Sequence, residues 1–404
     1  MDTQVIAAII GVVGTVGAVI LGWLLRNRAT PKSPSSKEVP SHVPGVNKAS
    51  KEITSSEAHT LEVEVNHEEL DFLKALLIFV KPETELSDSY SSIISRQYDQ
   101  LLIEVKKLEK KQDWQTLLSV KRILREYFEY SGKYLDGVEF GRMYVLALEQ
   151  MGQAEEAIWT SVKHVGYLLV LAGRHELARK KLKESLEMLA PRPQTSSTCE
   201  CYFYCYRYLG ISYQRDDIAG DANVAAEYFQ KAKGYIDFFK HNERKQKELY
   251  ARLLGNLGNI ALEKQNYSEA LGNYQESHNL FLELDDQEHI GISKLKIAET
   301  YISSEEGIDH AAGFLDAANL IFIEMGWLEG EARVAEQYAR IYEYKARKAR
   351  ALKDQYIENS MNAAKRSEAL FRRIGLERSV GRIEELKNRL IASSARMDRH
   401  KQTQ

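Results

Sequence analysis

Small residues recur at long, nearly even intervals in this chain. Gly166, Gly210, Gly258, Ala298 and Ala339 are separated by 44, 48, 40 and 41 residues, and each lies where apolar residues follow the three-and-four spacing of a helix with one buried face. Their neighbours recur as well. Leu254, Leu257, Gly258 and Ala261 are followed by Tyr267, Ala270, Tyr274 and Ser277; Tyr206, Leu209, Gly210 and Tyr213 by Ala225, Phe229 and Ala232; Val162, Val165, Gly166 and Leu169 by Ala178, Leu182 and Ser185. Ile297, Ala298 and Tyr301 precede Ala311, Leu315 and Ala318, and Ala335, Tyr338, Ala339 and Tyr342 precede Ser360, Ala364 and Ser367. Each set reads as two antiparallel helices that touch where a small residue clears the crossing point. No run alternates as a half-buried strand would. Proline agrees: four of the seven, Pro31, Pro34, Pro40 and Pro44, fall in one stretch, and the 360 residues beyond hold three, as helices without a missing donor require.

The second helices end alike, in Phe281-Leu-Glu-Leu, Phe322-Ile-Glu-Met-Gly and Phe371-Arg-Arg-Ile-Gly, with Gln150-Met-Gly earlier. Glycine there takes the left-handed cap conformation. Gly132, Tyr134, Gly137, Gly141 and Tyr144 mark a degenerate first member over residues 114–152. This order and spacing resembles the tetratricopeptide repeat, specifically the longer-repeat arrays of signal-transduction NTPases with numerous domains (the STAND class). The resemblance covers about two thirds of the chain and implies an array that binds or senses. It does not extend to the NTPase, because no G-x-x-x-x-G-K-[ST] phosphate loop occurs.

Upstream, the composition changes twice. Residues 5–25 carry no charge, and 21 such residues at a rise of ~1.5 Å span about 32 Å, the thickness of a bilayer's hydrocarbon. No Lys or Arg precedes the run, as a cleaved signal peptide would need, while Arg26, Arg28, Lys32 and Lys37 follow it and direct the C-terminal body to the cytoplasm. Trp23 suits the interface. Ala7, Gly11, Gly14, Ala18 and Gly22 form a small-residue stripe fit for close packing between membrane helices. A Ser-, Pro- and Lys-rich stretch then has too little apolar content to bury a core.

The expected fold is therefore all-α: a tetratricopeptide-like α-solenoid of helical hairpins, preceded by one transmembrane helix and a disordered tether. Its parts are a membrane anchor over residues 1–28, a linker over 29–60, an N-terminal helical hairpin over 61–111, repeats over 112–376, a capping helix over 377–396 and a disordered tail over 397–404.

Net charge is −3, which gives no electrostatic reason to expect nucleic acid. Three cysteines cannot form a disulfide framework. Cys199, Cys201 and Cys205, with His164 at a distance, have ligand chemistry, but thiols two apart on a helix point to different sides and fit packing better than metal. Tyr202, Phe203, Tyr204, Tyr206 and Tyr208 crowd the same helix, mostly as packing. No signature of hydrolase, Rossmann, kinase or zinc-protease chemistry occurs, so neither an enzyme nor a cofactor is expected.

A solenoid binds through its concave surface, and offsets from the contact residues select Lys163, Tyr167, Tyr204, Arg207, Ile211, Asn256, Asn259, Arg333, Gln337 and Arg340. Four cations beside two asparagines suit an acidic peptide or another anion. Tetratricopeptide co-chaperones clamp a peptide carboxylate at such offsets, and Asn259 matches one, but Gly255 stands where the clamp needs Lys. The expected function is a single-pass, membrane-anchored adaptor whose groove recruits a protein partner. The alternative is a sensor whose N-terminal helix self-associates to perturb the membrane. The basic run KARKARALK at 345–353 reads as either a phospholipid patch or an exposed helix face.

Overall fold

The computed structural model describes residues 98–216 and 221–402. The anchor with its stripe Ala7, Gly11, Gly14, Ala18 and Gly22, the linker, and the N-terminal hairpin up to residue 97 lie outside the described residues. Among the described residues no helix is long and apolar enough to cross a membrane, and every regular element is helical.

Helix α1 (Tyr98–Lys111) leads into α2 (Trp114–Ser119), α3 (Lys121–Ser131) and α4 (Tyr134–Gln150). Five hairpins follow. The first helix of the first hairpin is α5 (Ala154–Thr160), a π-helical stretch (Ser161–Gly166) and α6 (Tyr167–Leu171), and its partner is α7 (His175–Leu189). The others pair α8 (Ser196–Arg215) with α9 (Ala222–Lys233), α10 (Glu243–Glu263) with α11 (Tyr267–Leu284), α12 (Gln287–Ser304) with α13 (Ile308–Glu324), and α14 (Leu328–Lys348) with α15 (Lys353–Arg373). Helix α16 (Glu377–Gln402) packs on α15. Polar caps set several starts: the Thr195 hydroxyl accepts from the Thr198 amide at 3.2 Å, and Asn242 Oδ1 accepts from the Lys245 amide at 3.1 Å, satisfying donors that a helix leaves free.

The small residues do what their spacing requires. A Cβ on Gly210 would lie 2.4 Å from Phe229, and one on Gly258 would lie 2.6 Å from Tyr274. Ala270, Ala298 and Ala339 are fully buried in the equivalent seams. Gly326 and Gly375 take φ of 65° and 72° at the ends of second helices, and Asp285 takes 56° in the repeat that lacks glycine there. Buried serines tie the last hairpin across its seam: Ser360 Oγ donates to the Ala339 carbonyl at 2.7 Å and Ser367 Oγ to the Ala332 carbonyl at 2.8 Å.

The basic run is not one exposed helix. Helix α14 stops at Lys348, Ala349 is extended, and a 3₁₀ turn (Arg350–Leu352) precedes α15. Lys345 and Arg347 pair with Asp309 at 3.6 Å and Glu305 at 2.8 Å.

The array does not present the open concave groove expected of a solenoid. Its ends meet across the middle. Tyr134 Oη donates to Glu329 Oε2 at 2.8 Å, Tyr130 Oη to Glu288 Oε2 at 3.3 Å, and an Arg378 guanidinium donates to the Arg215 carbonyl. Gly132, at φ 76°, abuts Ile374 so closely that a Cβ would fall 2.3 Å from the isoleucine's own. Leu376 joins the large N-terminal core. Elements α3 and α4 thus reach α14 and the end of α15.

Candidate functional site

Closure turns the concave wall into the lining of a central cavity of about 200 Å³. Lys163, Tyr167, Tyr204, Arg207, Ile211, Asn256, Asn259 and Arg333 all face it. Gln337 and Arg340 do not: they lie in an adjoining depression with Arg382, where Glu336 holds Arg340 at 2.9 Å and Arg382 at 2.9 Å. Sequence offsets missed Arg125 and Glu129 of α3, Arg215, Arg252, Glu288, Lys296 and Glu329, which also line the cavity. Arg252 and Glu329 each stand one turn before a selected residue, Asn256 and Arg333, so first-helix periodicity held that signal. Nothing in the sequence placed α3 opposite them.

Seven cations line the cavity, Arg125, Lys163, Arg207, Arg215, Arg252, Lys296 and Arg333, against the carboxylates Glu129, Glu288 and Glu329. Five of the cations have a carboxylate partner in the wall or just behind it. Arg125 meets Glu129 at 2.9 Å, Lys163 meets Glu200 at 3.6 Å, Arg252 meets Glu248 at 3.1 Å, Lys296 meets Glu299 at 2.7 Å and Arg333 meets Glu329 at 2.6 Å. The wall is thus a two-signed network, where a uniformly basic groove was expected. Four of these pairs each lie within one helix, and further contacts join neighbouring first helices: Lys245 bridges Glu200 at 3.3 Å and Glu248 at 2.8 Å, and Tyr204 Oη donates to Glu248 at 3.2 Å. Arg252 then approaches His289 at 2.6 Å, whose Nδ1 lies 2.9 Å from Asp286.

Protonation follows from burial and these neighbours. Burial alone would raise Glu248, but Arg252 and Lys245 outweigh it and hold the carboxyl at about 2. Asp286 is likewise raised by burial and pulled further down, to about 2, by His289 and then Arg252. Lys163 moves the other way for a base. Burial and then Arg125 bring its ammonium down to about 7 despite Glu200, and the Trp159 and Tyr204 rings, 4.1 and 4.0 Å from Nζ, supply cation–π contact.

Arg207 and Arg215 differ from the other cations: among the described residues neither has a carboxylate within ion-pair distance. Arg207 Nε donates to Asn256 Oδ1 at 2.7 Å, and its guanidinium lies 5.6 Å from the Tyr208 ring. Burial lowers both arginines from their ordinary value, with Arg252 also opposing Arg207 and Arg333 opposing Arg215. Asn259 accepts from Tyr274 Oη at 2.7 Å and serves its own hairpin.

The cysteines sit elsewhere. Cys199, Cys201 and Cys205 are free and buried in the core of α8, and burial pushes the Cys201 thiol up to about 12 and raises Cys205 well above its ordinary range. His164 packs separately, with Nε2 2.8 Å from the Gly137 carbonyl, and burial brings it down to about 3. Phe203, Tyr204 and Tyr208 are core residues, whereas Tyr202 and Tyr206 are half-buried and Tyr202 stacks on Tyr235 at 4.9 Å.

The described body is an all-helical array of antiparallel hairpins. No protein-family model and no curated protein matches the chain. A similar solved structure is a signal transduction ATPase with numerous domains and a tetratricopeptide repeat sensor, from Pyrococcus horikoshii. It is 17% identical with a TM-score of 0.45, and the match covers 81% of this chain and 44% of that one.

Proposed function

We propose that this chain is a non-enzymatic, membrane-anchored repeat scaffold that recruits a protein partner on the cytoplasmic side and is held by its own N-terminal helices in a self-covered state. The observation that carries this reading is the contact of Tyr134 with Glu329, made between residues 195 apart in sequence. A repeat array offers a partner its concave wall, and here α3 already lies over that wall with Arg125 and Glu129. Recruitment through this wall requires α3 and α4 to move out. Membrane attachment rests on the uncharged stretch at residues 5–25.

The test is capture of partners from gently solubilised membranes by three forms: the full chain, a form starting at Thr60, and the full chain with Tyr134→Phe. Weakening the closure should increase the yield of one stoichiometric partner, and the shortened form should retain it. Equal yields from closed and weakened forms would overturn the self-covered state. A second reading is favoured by the spacing of Ala7, Gly11, Gly14, Ala18 and Gly22: the array senses a signal and the N-terminal helices assemble in the membrane. A large homo-oligomer that needs residues 1–28 and carries no partner would select it.

A further inference from the structure

The central cavity contains a charge arrangement that recruitment does not use. Five of its cations are matched by carboxylates 2.6 to 3.6 Å away. Glu288 accepts from Tyr130, and Glu329 serves Tyr134 as well as Arg333. Among the described residues two guanidinium groups have no carboxylate at ion-pair distance, although Glu329 attracts Arg215 from beyond it. Arg207 and Arg215 stand eight residues apart on one face of α8, about 12 Å along its axis, with Ile211 between them and all three facing the cavity.

An unmatched charge taken partly out of water is costly, and a fold keeps one where something else completes it. Arginine's planar fork matches the paired oxygens of a phosphate or carboxylate. Asn256 has its carbonyl oxygen engaged by Arg207, so its amide remains as a further donor, and Tyr167, whose hydroxyl burial keeps protonated, lines the same space. Size narrows the choice. A dry cavity of ~150 Å³ accepts benzene, so about 200 Å³ admits a molecule of about ten non-hydrogen atoms and excludes a folded or extended peptide.

We propose that the central cavity binds a compact organic anion with two charged ends, with Arg207 and Arg215 as the two anchoring groups and Asn256 and Tyr167 as neutral donors beside them. The ligand's shared chemistry is two separated clusters of anionic oxygen, whether from a phosphorylated small acid or a dicarboxylate. Occupancy would compensate the two arginines and so add stability to the closed form. The inference concerns the closed form of the same wall and rests on α8 and the cavity, not on the identity of any partner.

The test uses the full chain in detergent at constant ionic strength. 2-Phosphoglycolate and 3-phosphoglycerate form one arm, succinate and malate the other, and glycerol is the neutral control; readouts are thermal melting and titration calorimetry. A probe in one arm should raise the melting temperature by about 3 °C or more when well above its Kd, and Arg207→Gln and Arg215→Gln should each weaken that probe at least tenfold. Arg347→Gln, at an exposed ion pair, should leave the affinity unchanged. Without any probe, Arg207→Gln should melt no lower than the parent chain, because it removes an uncompensated charge; a clear drop would make Arg207 a structural residue and overturn the assignment. So would the absence of any shift across both arms, or a shift that persists undiminished in the two cavity variants.

Discussion

The seams between paired helices and the wall of the central cavity are built from opposite materials. In the seams, Phe229 packs on Gly210 and Tyr274 on Gly258, with atoms so close that a single added methyl would collide. In the wall, charged side chains from six elements form ion pairs, most of them within one helix, as in Arg125–Glu129 and Arg333–Glu329, and one between elements, Lys163–Glu200. Seams gain stability from close contact and removal of apolar surface from water. A wall of this kind gains much less, because each ion pair must first repay the desolvation of its members. What the wall supplies is particular geometry: Tyr134–Glu329 and Lys163–Glu200 join separate elements, and among the described residues two arginines have no carboxylate at ion-pair distance.

That division can be broken experimentally. The largest effect should come from Phe322→Ala, since Phe322 is fully buried between Gly291 and Gly330; a loss of about 3–5 kcal/mol is expected, measured by urea unfolding. A loss below 1 kcal/mol would mean that the seams are not the energetic mainstay. Gly210→Ala comes next, at about 1–3 kcal/mol, because Phe229 must leave its position to admit the methyl. If the same experiment left the unfolding midpoint unmoved, the close approach would be dispensable.

At the wall, Tyr134→Phe removes one hydrogen bond to a buried carboxylate and should cost about 1.5–3 kcal/mol. Its sharper readout is shape: small-angle scattering should show a larger radius of gyration if this bond holds the ends together.

The pH response separates the wall's members by sign. Glu248 and Asp286 sit at about 2 in the folded chain, below their unfolded values. Their stabilisation is complete above the ordinary carboxyl range and should fade as pH drops from about 5 toward 2. Lys163, brought from 10.5 to about 7, acts in the opposite region. Between those values the unfolded chain binds the proton and the folded chain does not, so stability should rise with pH from about 7 to 10. Melting curves of the parent chain and Lys163→Met across that window check this: the variant should lack the rise. The smallest effect is expected for Arg347→Ala, which removes an exposed pair with Glu305 and should change stability by about 0.5 kcal/mol or less.

Most of the hairpin architecture was legible before any coordinates. A contact glycine and its aromatic partner lie within one hairpin, so Gly258 and Tyr274 are both visible in a window shorter than a repeat. The left-handed ends at Gly326 and Gly375 were legible for the same reason. The site was legible by halves. Offsets along first helices found Lys163, Tyr204, Arg207, Asn256 and Arg333 at the cavity, yet they took the surface for an open basic groove. Carboxylates one turn away, such as Glu329 before Arg333, were in view but carried no weight in a projection that looked for ligand contacts. The companions from α3 were beyond its reach.

The sequence by itself determined that the body is helical, that its helices pair through small residues, and that these 404 residues hold no G-x-x-x-x-G-K-[ST] loop. These are consequences of periodicity and side-chain size, which act over a few turns of chain. Only the tertiary structure decided that the array closes on itself, that Tyr134 reaches Glu329, and that Arg207 and Arg215, among the described residues, have no carboxylate at ion-pair distance. In a repeat array curvature follows from the small rotation between successive repeats. Such rotations sum over the whole array, and no local stretch of sequence contains the sum.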